Sequence, residues 1–341
     1  KIDRSYEKWE VITLQNIFKA IDIKYDLGIL EEPLALSGGF IHKMYQVTTK
    51  QGKYTIKLLN PYIMKRSDAM MNYANAEKLE RLLEAKHLPI LPALSFGGKK
   101  MQELNGQYFY LFEFYDGKPL ARKDIRPYHC RKMGEALANI HCLDLKASDE
   151  KYSEMKIDWE FYLAEVKKVN QEIYGLLKDN INLIIESQHH GNEAKKKLPK
   201  ISAICHNDMD PKNVLWENQA YRIIDLECLA YSQPMLELFE MALCWSGYAE
   251  CQIDFQLFEA FLQGYIEANG PIPTDWQVLY DCNNNRLEWL EYNLKRVLGI
   301  DCTEDERELG IAQVKATLKQ IVYYAKMQEE ILSNCQKITV R

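Results

Sequence analysis

A histidine, an aspartate and an asparagine share one short stretch of the sequence, and a second aspartate follows soon after. The run Cys205-His206-Asn207-Asp208-Met209-Asp210-Pro211-Lys212-Asn213 has the form His-x-Asp-x-x-x-x-Asn, and Ile223-Ile224-Asp225-Leu226-Glu227 comes after it. This spacing suits transfer of a phosphoryl group to a hydroxyl. That reaction needs one carboxylate at the acceptor hydroxyl, and a carboxylate and an amide to hold the divalent ions that bridge the phosphates. Asp208 is expected to be the catalytic carboxylate. Asn213 and Asp225 are expected to hold Mg2+. An Asp-Pro or a loop Asn alone is ordinary turn chemistry. Here the loop is followed by two short apolar runs, 213–216 and 221–224, which read as strands of a hairpin ending in Asp-x-Glu. His206 is expected to prop the loop rather than to move protons.

The N-terminal part offers an independent check. Phosphoryl transfer by this route also needs a lysine on a strand to meet the phosphates and a helix glutamate to hold it. Lys57 sits inside Tyr54-Thr55-Ile56-Lys57-Leu58-Leu59, where burying an unpaired ammonium would be costly. The next helical stretch offers Glu77, Glu80 and Glu84, and Glu77 is the expected partner. Upstream, Ser37-Gly38-Gly39 is a candidate phosphate loop, since glycines let backbone N–H groups approach closely. It is neither G-x-G-x-x-G nor a Walker A loop.

Apolar periodicity predicts the elements that must position these groups. A helix is expected over 6–24, strands over 41–49 and 54–59 joined by a Gly-containing turn, and a helix over 68–86. Further strands are expected near 91–96 and 108–115, and Asp116-Gly117 ends the last. Beyond it the pattern is mostly helical: 126–143, 158–188 as one helix or a pair, 233–248, 254–269, 275–298 and 304–336. The polar stretch 189–200 reads as a loop. The expected organisation is a nucleotide-binding part over 1–115 and a helical part over 116–341 that carries the catalytic loop and acceptor site.

The chain has 341 residues, 47% hydrophobic and 27% charged, with a net charge of −6. The negative balance argues against a nucleic-acid partner, whose phosphates need a basic surface. Nine cysteines without a C-x-x-C pair read as free thiols in a reducing, cytoplasmic compartment. No apolar run approaches the length of a membrane span, and no secretory signal is visible, so no membrane partner is expected. His189-His190 has no third ligand at metal-binding spacing.

The sequence resembles the aminoglycoside phosphotransferase and choline kinase superfamily. The likeness is carried by Ser37-Gly38-Gly39, Lys57, Glu77, the Glu113–Gly117 connector, 137–141, 206–213, Asp225-Leu226-Glu227 and 234–238. Asn284–Leu298 is similar to C-terminal helices of bacterial members. Asn207 and Asp-Leu-Glu are closer to choline and ethanolamine kinases than to antibiotic kinases. The resemblance implies a bilobal, protein-kinase-like α+β fold with an antiparallel-sheet N-lobe and a mainly helical C-lobe. It implies ATP or GTP as co-substrate, its base against Glu113 to Tyr115, and a small-molecule hydroxyl acceptor. Trp245, Tyr248, Glu288, Trp289, Glu291 and Tyr292 are the expected acceptor side. Aromatic faces beside carboxylates would favour an ammonium-bearing substrate. A protein kinase is a poorer match, because Asp-Phe-Gly and Ala-Pro-Glu are missing. A non-catalytic nucleotide-binding protein is disfavoured by the complete set of polar groups.

Overall fold

The computed structural model describes residues 4–36, 42–149, 152–300 and 302–339. The chain divides into two compact units, residues 1–120 with 212–230 and residues 121–211 with 231–341. The candidate phosphate loop Ser37, Gly38 and Gly39 lies outside the described residues.

The first unit is built on a five-stranded antiparallel sheet of order β1-β2-β3-β5-β4. It begins with helix α1 (Arg4–Tyr25), followed by β1 (Leu34–Leu36), β2 (Lys43–Thr49) and β3 (Gly52–Leu58). Next come the short helix α2 (Pro61–Met64), α3 (Ala69–Ala85), β4 (Gln102–Leu104) and β5 (Gln107–Glu113). Alternation along the inner strand β3 sorts its two faces. Ile56 and Leu58 join Phe18, Ile21, Val47, Phe109 and Leu111 in one apolar cluster. Lys57 is buried too, in register with Met44 on one side and Tyr110 on the other. Tyr110 belongs to a second cluster with Leu59, Ala69, Tyr73 and Ala93. The strand expected at 91–96 is absent. That stretch makes only isolated bridges, Ala93 with Phe112 and Phe96 with Lys99, and the outer strand is β4 instead.

The second unit is mainly helical: α4 (Pro127–His141), α5 (Trp159–Val169), α6 (Gln171–Lys195), α7 (Pro234–Ser246), α8 (Phe255–Glu267), α9 (Trp276–Cys282), α10 (Asn285–Val297), α11 (Glu304–Lys326) and α12 (Gln328–Thr339). Two short strands, β6 (Lys146–Ala147) and β7 (Ile201–Cys205), pair antiparallel. The crossing of α4 and α8 depends on two glycines. A Cβ on Gly134 would lie 2.0 Å from the Phe261 carbonyl oxygen, and one on Gly264 would lie 2.0 Å from that of Arg131. Asn170 divides α5 from α6, ending one helix and capping the next through its side chain at the Ile173 N–H. The expected loop at 189–200 is instead helical as far as Lys195, so His189 and His190 ride on α6. Gly191 and Ala194 are buried on its inner side, and Gly191 leaves room for the Asn284 side chain. The long helices expected over 275–298 and 304–336 each break in two, at Asn283-Asn284 and at Met327.

Candidate active site

In the first unit, residues Val214–Glu217 and Ala220–Ile223 form the expected hairpin, with Val214 opposite Ile223. The Ile224 N–H donates to the Asn213 carbonyl at 2.9 Å, which extends the ladder by one step. Asn213 and Asp225 therefore leave the same open end of the hairpin side by side. Asp225 has φ +64° and ψ +50°, a left-handed conformation that is uncommon outside glycine and clusters at functional sites. The hairpin's other edge pairs Trp216 with Lys118 at 2.9 and 3.0 Å. Gly117 is required there, because a Cβ would meet the Tyr115 ring at 2.4 Å and the Leu215 carbonyl carbon at 3.1 Å. Glu113 is exposed at the end of β5. The Tyr115 hydroxyl is buried without a hydrogen-bond partner among the described residues, and the Arg222 guanidinium lies 5.5 Å from its ring.

Lys57 Nζ lies 2.5 Å from both Asp225 Oδ1 and Glu227 Oε2. Burial alone would lower its pKa, but the two carboxylates outweigh burial and raise it. Burial would likewise raise the Glu227 carboxyl, yet bonds to His42 and Lys57 bring it down to about 2. The expected Lys57–Glu77 pair is not formed. Glu77 instead accepts from the Met101 N–H at 2.7 Å and the Tyr110 hydroxyl at 3.2 Å. Its neighbours on α3 turn the same way: Lys100, almost fully buried, pairs with Glu80 and Glu84, both at 2.8 Å. Glu80 also accepts from the Ala93 N–H. The carboxylates of α3 thus satisfy the chain around 93–101.

In the second unit, the loop before Asp208 is held from α7. Glu237 accepts from the Asn207 N–H at 2.5 Å and the His206 N–H at 3.2 Å, and its carboxylate meets His141 Nε2 at 2.8 Å. The other His141 nitrogen meets the Tyr265 hydroxyl at 2.7 Å. Burial would raise the Glu237 carboxyl, but the bonds and fields of His141, His206 and the Asn207 N–H hold it below the ordinary range. Asn207 takes a left-handed φ of +63°, and the Asp208 N–H donates to His206 Nδ1 at 3.3 Å. His206 is fully buried, as its expected propping role requires.

Trp245 was expected on the acceptor side. It is fully buried and donates its indole N–H to the Met209 carbonyl at 2.9 Å, so it braces the loop and presents no face to a ligand. The α10 residues do not form a free cation cage. Glu291 accepts from the Tyr162 hydroxyl at 2.8 Å and pairs with Lys295 at 2.9 Å. Trp289 and Tyr292 stack on each other with ring centres 5.4 Å apart, and the Arg296 guanidinium already covers Tyr292 at 4.5 Å. Glu288 is exposed on the first turn of α10.

The sequence reading passed over Glu240. It lies three residues after Glu237, on the same face of α7. Burial, then Glu237 and Asp208, push its carboxyl up to about 7, while Arg286 and an Asn285 hydrogen bond pull the other way. Arg286 donates to the Tyr248 hydroxyl at 3.0 Å and to the Asn283 carbonyl, and lies over the Tyr324 ring at 3.6 Å. The signal for Glu240 was its i, i+3 spacing from Glu237, which becomes informative only once Glu237 is seen to hold the loop.

An antiparallel sheet followed by a mainly helical part containing an anchored His-x-Asp loop is the protein-kinase-like fold. The chain belongs to the phosphotransferase enzyme family (APH), whose model matches residues 33–282. It is 22% identical over 246 residues to a homoserine kinase of Methylobacillus flagellatus, covering 71% of this chain and 72% of that relative. Among solved structures it is similar to spectinomycin phosphotransferase APH(9)-Ia in complex with ADP and spectinomycin. That match has a TM-score of 0.71 and 16% identity, over 91% of this chain and 98% of the other. It is also similar to Plasmodium vivax ethanolamine kinase, with a TM-score of 0.51 and 17% identity, over 84% and 82% of the two chains. The protein is a small-molecule phosphotransferase that acts on a hydroxyl group. No helix among the described residues is long and apolar enough to cross a membrane.

Proposed function

We propose that the enzyme transfers the γ-phosphoryl group of ATP or GTP to a hydroxyl of a small amine-bearing acceptor in the cytoplasm. The observation that carries this reading is the hairpin that delivers Asn213 and Asp225 together, with Lys57 drawn to Asp225. An amide oxygen and a carboxylate are hard donors that fit magnesium. A bound Mg2+ would neutralise charge on the bridged phosphates. Lys57 contributes a charge-assisted contact to the triphosphate. Asp208 orients the acceptor hydroxyl and takes its proton late. In this reading residues 1–115 hold the nucleotide, and residues 116–341 hold the catalytic loop, the metal ligands and the acceptor.

The relatives' named substrates, homoserine, spectinomycin and ethanolamine, each combine a hydroxyl with an amine. Glu240, three residues from Glu237 on α7 and close enough to Asp208 for its charge to be felt, is the carboxylate we assign to such an amine. A diphosphate-release assay across homoserine, ethanolamine, choline, spectinomycin, other aminoglycosides and simple sugars tests the reading. Magnesium-dependent turnover confined to hydroxylated amines is expected. Faster turnover of amine-free sugars would overturn the acceptor class, and a lack of magnesium-dependent nucleotide binding would overturn the kinase assignment.

A further inference from the structure

Lys57 lacks the helix carboxylate that its position calls for, since Glu77, Glu80 and Glu84 are all engaged by residues 93–101 and Tyr110. Its ammonium is held instead by two carboxylates from the turn after the hairpin. These two differ in how they are anchored. Asp225 is the candidate magnesium ligand, and among the described residues no second partner fixes its carboxylate toward the lysine. Glu227 is fixed from behind: its Oε1 lies 3.1 Å from His42 Nε2 while its Oε2 faces Lys57. The histidine is itself fixed. His42 Nδ1 accepts the Asn60 N–H at 2.9 Å, which assigns the ring proton to Nε2 and points it at Glu227. The Tyr73 hydroxyl closes the same side at 3.1 Å from Nε2. His42 and Lys57 are both buried, so a chain of short polar contacts runs from the Asn60 backbone through His42 and Glu227 to Lys57.

We propose that Glu227, oriented by His42, is the positioning residue for Lys57 and takes over the role left vacant by α3. The inference rests on reading Lys57 as the triphosphate-binding lysine. It implies that the brace survives when magnesium engages Asp225, because the Glu227 carboxylate is tied to the protein through its second oxygen. His42 directly follows the segment 37–41, so the same contacts also tie the start of β2 to the lysine.

The test is nucleotide kinetics at saturating acceptor for Glu227→Gln, His42→Ala, the double variant, Glu77→Gln and Lys57→Ala. Glu227→Gln and His42→Ala should each lower kcat/KM for the nucleotide by about tenfold or more. The double variant should be little worse than Glu227→Gln alone, since both act through one contact chain. The loss at Glu227 should exceed that at Glu77. Recovery of Glu227→Gln to wild-type rates by raised magnesium would show that Glu227 is a metal ligand, and would overturn the proposal. Strictly additive losses at His42 and Glu227 would overturn it as well. Glu227→Gln is nearly isosteric, so it remains decisive if His42→Ala does not fold; wild-type kcat/KM in that variant alone rejects the brace. If Lys57→Ala leaves nucleotide kinetics unchanged, the underlying reading of Lys57 fails. If Lys57→Ala is costly and Glu227→Gln is not, only the brace fails.

Discussion

Single residues in the candidate site separate by the kind of contact that holds them. The Asp208 backbone is anchored through Asn207 and His206 to the buried carboxylate of Glu237. Asp208→Asn should keep nucleotide affinity and lower kcat by roughly 10²–10⁴-fold, the range for a positioned proton acceptor; a variant retaining a tenth of wild-type kcat would refute that role. Asp225→Ala should abolish the magnesium-dependent thermal shift seen with nucleotide, and Asn213→Ala should weaken it less. Glu240 gives a pH signature. Its folded-state carboxyl is raised, so ionising it opposes folding. Well below the ordinary carboxylate range both folded and unfolded states keep the proton, and there is no cost. The cost builds as pH rises from about 4.5 to about 7 and is complete above that. Glu240→Gln should therefore stabilise the fold at pH 8 by at most about 3 kcal/mol and have little effect at pH 4. It should also raise KM for an amine acceptor, and equal KM in both enzymes would remove Glu240 from the acceptor site.

At the scale of elements, the sequence carried the positions of the strands and helices better than their joints. The β2–β3 turn, α3 and the hairpin after Asn213 follow from local apolar spacing, which the chain obeys. The spacing of Asp208, Asn213 and Asp225 was legible because all three lie on one loop and one hairpin. The partner of Lys57 was not legible, because local spacing singled out Glu77 on α3 without showing what else would claim its carboxylate. Glu77, the expected partner, is taken by the Met101 N–H and the Tyr110 hydroxyl, which lie well downstream in sequence. The tail of α6 was misread as a loop because its side chains are polar, although the small residues Gly191 and Ala194 marked a buried stripe. Two glycine substitutions contrast these influences. Gly134→Ala should cost about 3 kcal/mol or more, since its Cβ would press on a backbone oxygen that cannot swing away. Gly175→Ala, in α6 with nothing within 4 Å, should stabilise the protein by about 0.5–1 kcal/mol through helix propensity. Thermal unfolding of the two variants checks both signs.

At the scale of the whole molecule, the chain is acidic and all nine cysteines are free thiols. Cys142 and Cys228 are exposed, while Cys130, Cys205, Cys282 and Cys335 are buried, and burial pushes the Cys130 and Cys282 thiols up to about 12. A thiol reagent should therefore label the exposed pair first in the native protein and reach the buried four only on unfolding. Composition alone could not sort the thiols, because their burial is decided by packing within each unit. The bare backbone contact between α4 and α8 has a different consequence. Where two main chains touch without side chains between them, water has no route to the amides, and they open only when the whole unit does. Deuterium should therefore enter the amides of residues 133–137 and 261–265 last of all, and their exchange would report the global unfolding free energy of the second unit in the absence of any denaturant.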